Sequence, residues 1–240
     1  MDESASGAVF KGLASSILTN NLYAANFGNM GKIDIFSASY AATTLLGNFT
    51  DPSLPAGYAP FNIQNIGGVL YVAYAFKSKT SDTDETAGAG LGIVDAYNLN
   101  GVFSKRLITG GALNAPWGFA LAPSDFGEYS NDLLVGNFGD GKINAFDPAN
   151  GSYLGTLIDN LGQDIVIEGL WGLTFGNGGS GGAKNKLYFA AGISDGNPIN
   201  IEQHGLFGSL SAVPEPDSLF LIAIGMLGLA ATRCRARFND

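Results

Sequence analysis

Up to about residue 212 the chain is written in short apolar runs closed by Gly, Asn, Asp or Pro, and no stretch sustains the three-to-four-residue spacing of an amphipathic helix. The runs recur in a fixed order. Leu22-Tyr23-Ala24-Ala25-Asn26-Phe27 passes through Gly28-Asn29-Met30-Gly31 into Lys32-Ile33-Asp34-Ile35-Phe36, and Leu133-Leu134-Val135-Gly136-Asn137-Phe138 passes through Gly139-Asp140-Gly141 into Lys142-Ile143-Asn144-Ala145-Phe146-Asp147. These are near copies. Leu70-Tyr71-Val72-Ala73-Tyr74-Ala75 and Leu187-Tyr188-Phe189-Ala190-Ala191-Gly192 supply the first run twice more, followed by Gly92-Ile93-Val94-Asp95-Ala96-Tyr97 and Gly205-Leu206-Phe207-Gly208-Ser209-Leu210. Upstream of each stands one more matched piece: Lys11-Gly12-Leu13-Ala14, Phe61-Asn62-Ile63-Gln64, Trp117-Gly118-Phe119-Ala120 and Trp171-Gly172-Leu173-Thr174, starting 50, 56 and 54 residues apart.

A fourth strand is expected after three of the units, at residues 43–49, 103–108 and 152–157. The longest interval holds residues 77–90, a polar and acidic insertion that reads as an exposed loop. Four short antiparallel strands per fifty-residue repeat, joined by turn formers, predict an all-β fold of β-propeller type with four recognisable four-stranded blades. The repeat domain is assigned to residues 1–211 and a separate C-terminal segment to residues 212–240. The fourth unit ends without its last strand. In a closed propeller such a gap is filled by a strand from the N-terminal end, and Ala8-Val9-Phe10 is the only short run available for it.

The C-terminal segment has a different grammar. Val213-Pro214-Glu215-Pro216 precedes the uninterrupted apolar run Leu219-Phe220-Leu221-Ile222-Ala223-Ile224-Gly225-Met226-Leu227-Gly228-Leu229-Ala230-Ala231, and the basic residues Arg233, Arg235 and Arg237 follow. An apolar helix is expected at residues 219–231. At 13 residues it is shorter than the roughly 20 that span a bilayer core, and it is apolar on every side. The order of hinge, apolar run and basic stop resembles the PEP-CTERM sorting signal of Gram-negative bacteria. That resemblance implies an exosortase-type processing enzyme as partner, an inner-membrane-anchored precursor held by the helix, and export to the cell surface or medium.

The body is also familiar. Residues 58–68, Leu113-Asn114-Ala115-Pro116-Trp117-Gly118, Val135-Gly136-Asn137-Phe138-Gly139-Asp140-Gly141 and residues 204–210 resemble a functionally uncharacterised family of propeller-like proteins bearing the same signal. Full members carry further β-repeats and a secretion signal, so the resemblance implies a larger ring of about six blades. Met1-Asp2-Glu3-Ser4-Ala5-Ser6-Gly7 has neither the basic nor the apolar region of a secretory signal, and an upstream extension is expected. No catalytic residues come with the family.

Charge narrows the partners. The chain carries a net charge of −9, and losing everything from Ser218 onward, three arginines and one aspartate, takes it to −11. So acidic a surface repels nucleic acid and anionic headgroups. The single cysteine, Cys234, lies among the tail arginines, which excludes an internal disulfide. His204 is the only histidine and reads as a turn or loop residue rather than a base. The only cofactor candidate is calcium on Asp82, Asp84 and Glu85; Asp140, Asp147 and Asp195 sit at repeat turns, where bonding to their own backbone amides is the simpler role. Trp117 and Trp171, with Phe61 as a third member, are expected at equivalent places in consecutive blades, filling the space between sheets.

No catalytic constellation emerges. The reading is an exported envelope or extracellular binding or structural module, with an exopolysaccharide or envelope protein as ligand. The alternative is a lactonase or sugar-dehydrogenase-like propeller with a metal in its central channel.

Overall fold

The computed structural model describes residues 2–194 and 204–212. Among these residues fourteen strands form four antiparallel sheets, each wound in sequence order. The first sheet is β1 (Phe10–Ser16), β2 (Asn21–Asn26) and β3 (Lys32–Phe36). The second is β4 (Tyr58–Ile66), β5 (Val69–Phe76), β6 (Ile93–Asn98) and β7 (Phe103–Thr109). The third is β8 (Pro116–Leu121), β9 (Leu133–Asn137), β10 (Ile143–Phe146) and β11 (Tyr153–Thr156), and the fourth is β12 (Leu170–Phe175), β13 (Lys186–Gly192) and β14 (Gly205–Ser211). Each sheet's first strand lies beside the first strand of the next: β1 by β4, β4 by β8 and β8 by β12. This is the propeller arrangement, four blades fanned around a hub, as the fifty-residue repeat predicts.

The expected fourth strand at residues 43–49 does not form. After a single bridge from Phe36 to Ala42, the chain leaves the first blade and crosses to the second. Gly47 N and Phe49 N donate to the carbonyls of Asn100 (2.8 Å) and Gly101 (3.0 Å). The Phe49 ring wedges between Tyr23 (5.8 Å) and Tyr97 (5.2 Å). A buried aromatic between two blades outweighs a fourth strand at the rim of one of them. The fourth blade has three strands, as its sequence indicates, and β14 is its edge among the described residues.

Every junction between blades uses the same repeat positions. The earlier blade contributes a large residue from the start of its middle strand and an apolar residue of its third: Tyr23 and Ile33, Tyr71 and Val94, or Leu134 and Ile143, all buried. The later blade answers with Ile63 and Tyr97, Phe119 and Phe146, or Leu173 and Leu210. Tyr71 meets Phe119 with ring centroids 6.0 Å apart. Burying such a side chain contributes about 1.5–3 kcal/mol, so these junctions hold the fan together.

Candidate functional site

The site is the hub where the four first strands converge, and it is built by one repeated irregularity. The β1–β2 register slips between Phe10 and Gly12, β4–β5 between Pro60 and Asn62, β8–β9 between Pro116 and Gly118, and β12–β13 between Leu170 and Leu173. The residues left out of the ladders are Lys11, Phe61, Trp117 and the Trp171-Gly172 pair. A bulge re-aims its side chain, and here it turns all four toward the hub.

The aromatics meet there rather than between adjacent sheets as expected. Trp117 and Trp171 form an edge-on pair at 5.5 Å, Phe138 lies 4.5 Å from Trp171, and Phe61 is 6.1 Å from both Phe138 and Trp171. Phe27 adds a further ring 5.4 Å from Phe61. The ammonium of Lys11 stands 5.8 Å from the Phe61 centroid and 6.0 Å from that of Phe27, and Lys77 covers Phe27 from 5.7 Å. Trp117 Nε1 donates to the Lys11 carbonyl (3.2 Å), so the polar atom of the indole is satisfied. Phe61, Trp117 and Trp171 are therefore equivalent, as the repeat implies, but they form a plug and not an inter-sheet filling.

Polar side chains of β4 tie the hub. Asn62 Nδ2 donates to the Trp117 carbonyl (2.6 Å) and Gln64 Nε2 to that of Phe119 (2.8 Å), while Asn65 Nδ2 reaches back to Ser15 (2.9 Å). The glycine after each bulge lets the strands approach. A Cβ on Gly12 would fall 2.0 Å from Asn62 Oδ1, and one on Gly118 2.6 Å from the Trp171 carbonyl oxygen.

Two of the calcium candidates pair with lysines and the third with a neighbouring hydroxyl. Glu85 pairs with Lys11 (3.8 Å) and Asp82 with Lys77 (4.0 Å), while Asp84 accepts from Thr83 Oγ1 (3.3 Å). Among the described residues, no group of three or more His, Cys, Asp or Glu side chains stands where it could share a metal ion. Asp140 accepts from Asn137 Nδ2 (3.0 Å) and the Lys142 amide (3.2 Å), and Asp147 from the Ala149 amide (2.7 Å), the turn roles expected of them. His204 is exposed, its carbonyl accepting from Ile193 N (3.0 Å). Asp195, Cys234, the hinge Val213 to Pro216, the apolar run and the tail arginines lie outside the described residues.

One polar cluster escaped the sequence reading. Asp51, on the segment that crosses between the first two blades, is bonded and ion-paired to Arg106. Arg106 Nε lies 3.6 Å from Asp95 Oδ1, Tyr97 donates to Asp95 Oδ2 (3.3 Å), and the Tyr97 and Tyr74 hydroxyls share a 2.8 Å bond. Burial, reinforced by the Asp51 carboxylate, pushes Asp95 up to about 7, against the pull of Arg106 and the Tyr97 hydroxyl. Burial acts to raise Asp51 as well, but bonds from the Ser53 amide, Arg106 and the Ser53 hydroxyl hold it below the usual carboxylate range. The available signal was an aspartate inside the apolar run Ile93-Val94-Asp95-Ala96-Tyr97, at the repeat position that Asp34 and Asn144 also occupy.

Residues 212–236 match the family model described as the PEP-CTERM protein-sorting motif. Among curated proteins, an uncharacterized protein of Acanthamoeba polyphaga mimivirus is 42% identical over 171 residues, which cover 69% of this chain and 41% of the relative. A second from the same virus is 38% identical over 172 residues, covering 69% and 44%. The chain thus spans less than half the length of these relatives. A solved protein of unknown function from Bacteroides caccae superposes with a TM-score of 0.51 at 12% identity, over 88% of this chain and 59% of that one, a likeness of fold. The Dos1 propeller gives 0.46 at 14% identity over 76% and 42%.

Proposed function

We propose that the protein is an exported, acidic, noncatalytic propeller module that presents a binding or structural surface at the cell envelope after processing of its tail. The observation that carries the proposal is the sorting motif at residues 212–236, standing directly behind a β-propeller-like body. The motif routes the chain through a membrane-anchored precursor, and an exosortase-type enzyme is the partner it calls for.

The hub supports a noncatalytic role. A propeller enzyme of lactonase or sugar-dehydrogenase type needs several carboxylates or histidines converging on the channel, whereas Phe61, Trp117, Phe138 and Trp171 fill the hub here. The net charge leaves a mature surface suited to uncharged or cationic envelope material, an exopolysaccharide or an envelope protein, rather than nucleic acid.

The test is processing in a host that carries the sorting enzyme. Wild-type protein should be recovered with a shortened C-terminus. A Pro214→Ala, Glu215→Ala, Pro216→Ala variant should remain full-length and membrane-bound. Identical mature masses for the two would overturn the proposed route.

A further inference from the structure

We propose that a cavity between the second and third blades binds one unit of a neutral saccharide, an inference that rests on the envelope binding module proposed above. The cavity measures about 440 Å³, with the third and fourth strands of the third blade on one side and Ala89, Gly111 and Ala112 of the second blade's loops on the other. That volume lies within the roughly 300–1,000 Å³ of ligand clefts. Both blades have a neighbour on each side among the described residues, so further blades in a longer chain extend the fan at its ends and leave this junction as it is.

The repeat shows why the space is open here. Asp95 stands opposite Arg106 across β6 and β7, and Asn144 opposite Thr156 across β10 and β11, so the two pairs occupy equivalent places at the first and second junctions. At the first junction residues 37–57 join the blades, and their Phe49 and Asp51 pack on Tyr97 and Arg106. At the second the connection is only residues 110–115. Ala112 reaches Asn144 through its carbonyl (3.1 Å), and a Cβ on Gly111 would meet nothing within 4 Å. Groups that the chain itself supplies at the first junction are left to a ligand at the second.

The wall is fixed in advance and still has bonding capacity. Thr156 Oγ1 donates its one proton to Asn144 Oδ1 (2.7 Å), so the Tyr153 hydroxyl must donate to Thr156 (2.8 Å) and keeps its lone pairs for a donor. Asp140 Oδ1 is held by Asn137 Nδ2 (3.0 Å) and the Lys142 amide (3.2 Å), which leaves Oδ2 as an acceptor. Lys142 Nζ gives one proton to Asp164 Oδ2 (2.7 Å) and has two more. Two carboxylates and one ammonium disfavour an anion. Among the described residues no third metal-binding side chain joins the carboxylates, so a bare cation is not what they fit. Tyr153 adds an exposed ring, fixed edge-on against Phe146 at 5.8 Å. Donors, acceptors and an apolar ring side by side suit a sugar, which carries hydroxyls around its edge and C–H groups on its faces.

The test uses the full-length chain in a detergent without a sugar headgroup. The probes are the methyl glycosides of glucose, galactose, mannose and N-acetylglucosamine, titrated by saturation-transfer NMR. At least one should bind with a Kd of about 1 mM. Lys142→Met and Tyr153→Ala should each weaken that binding about tenfold, with melting temperatures confirming that both variants fold. Asp125→Asn, which removes an exposed carboxylate outside the cavity, should leave it unchanged. Two results would overturn the site: no glycoside binds, or binding persists undiminished in both cavity variants. The first of these with normal processing of the tail strikes the site and leaves the envelope route standing, whereas cavity-dependent binding by a chain that is never processed strikes the route alone.

Discussion

Phe119 and Leu13 occupy the same point of the repeat, on the first strand of a blade, two residues past the bulge. Phe119 is sealed between the second and third blades against Tyr71, while Leu13 faces outward from the first blade with nearly two-thirds of its surface exposed. The pattern of residues does not distinguish them. The interior blades bury both faces, and their strands read as continuous buried runs, for example β5 and β9. The flanking blades bury one face, so β1 alternates and β14 is largely exposed. Burial in a repeat protein therefore belongs to the junction and not to the residue. A flanking blade keeps the apolar side chains of a junction whether or not a neighbour is present.

The sharpest way to break this comparison is to truncate both residues. Phe119→Ala removes a ring from a packed junction and should destabilise the protein by about 3–5 kcal/mol. Leu13→Ala, measured in protein dilute enough to be monomeric, should change stability by no more than about 0.5 kcal/mol. Urea melts of both variants read the difference. Equal losses would mean that Leu13 is packed within its own chain and that the flanking and interior faces are alike.

The repeat positions were legible in sequence because strands, turns and the Gly-containing pieces recur at constant order. What they become in space was only partly so. Trp117 and Trp171 were placed correctly as equivalents, yet their direction depends on a one-residue bulge, and a period-two pattern carries no mark of which residue is extra. The strand expected at residues 43–49 failed for a related reason. Leu45-Leu46-Gly47-Asn48-Phe49 has strand composition, but the decisive partner of Phe49 is Tyr97, about fifty residues away. The Asp51, Arg106 and Asp95 cluster was hidden because its members lie on three separate segments, and only the odd aspartate in an apolar run pointed to it.

A gentler probe compares the two glycines. Gly118→Ala forces a methyl group to within 2.6 Å of the Trp171 carbonyl oxygen, which is backbone and cannot swing aside. Overpacking of this kind costs about 1–3 kcal/mol. Gly172→Ala makes only ordinary contacts, 3.9 Å from the Ala190 Cβ and 4.0 Å from the Trp117 ring, and should be neutral or slightly stabilising, since alanine restricts the unfolded chain. If the two substitutions cost the same, close approach of neighbouring first strands is not what keeps glycine after the bulge.

The last expected effect is a slope, the smallest when read per pH unit, and it separates the first junction from the others, since among the described residues only that junction holds a buried ionisable network. The folded protein keeps the Asp95 proton up to about pH 7, while the unfolded chain gives it up near the ordinary value of 3.8. Between those two values the folded state binds more protons than the unfolded state, so this group makes stability fall as pH rises. Its contribution is fully present below about pH 4 and is lost through about pH 7, with a slope that cannot exceed about 1.4 kcal/mol per pH unit for a single proton. Asp51 works in the opposite direction and in a different window: its lowered value supports the fold above 3.8 and fails only in stronger acid. Asp95→Asn should therefore flatten the profile across pH 4 to 7 and leave the acid limb in place. Urea midpoints for wild type and variant across that window make the comparison, and parallel profiles would show that Asp95 is already ionised at the bottom of it, held by Arg106 rather than protonated by burial.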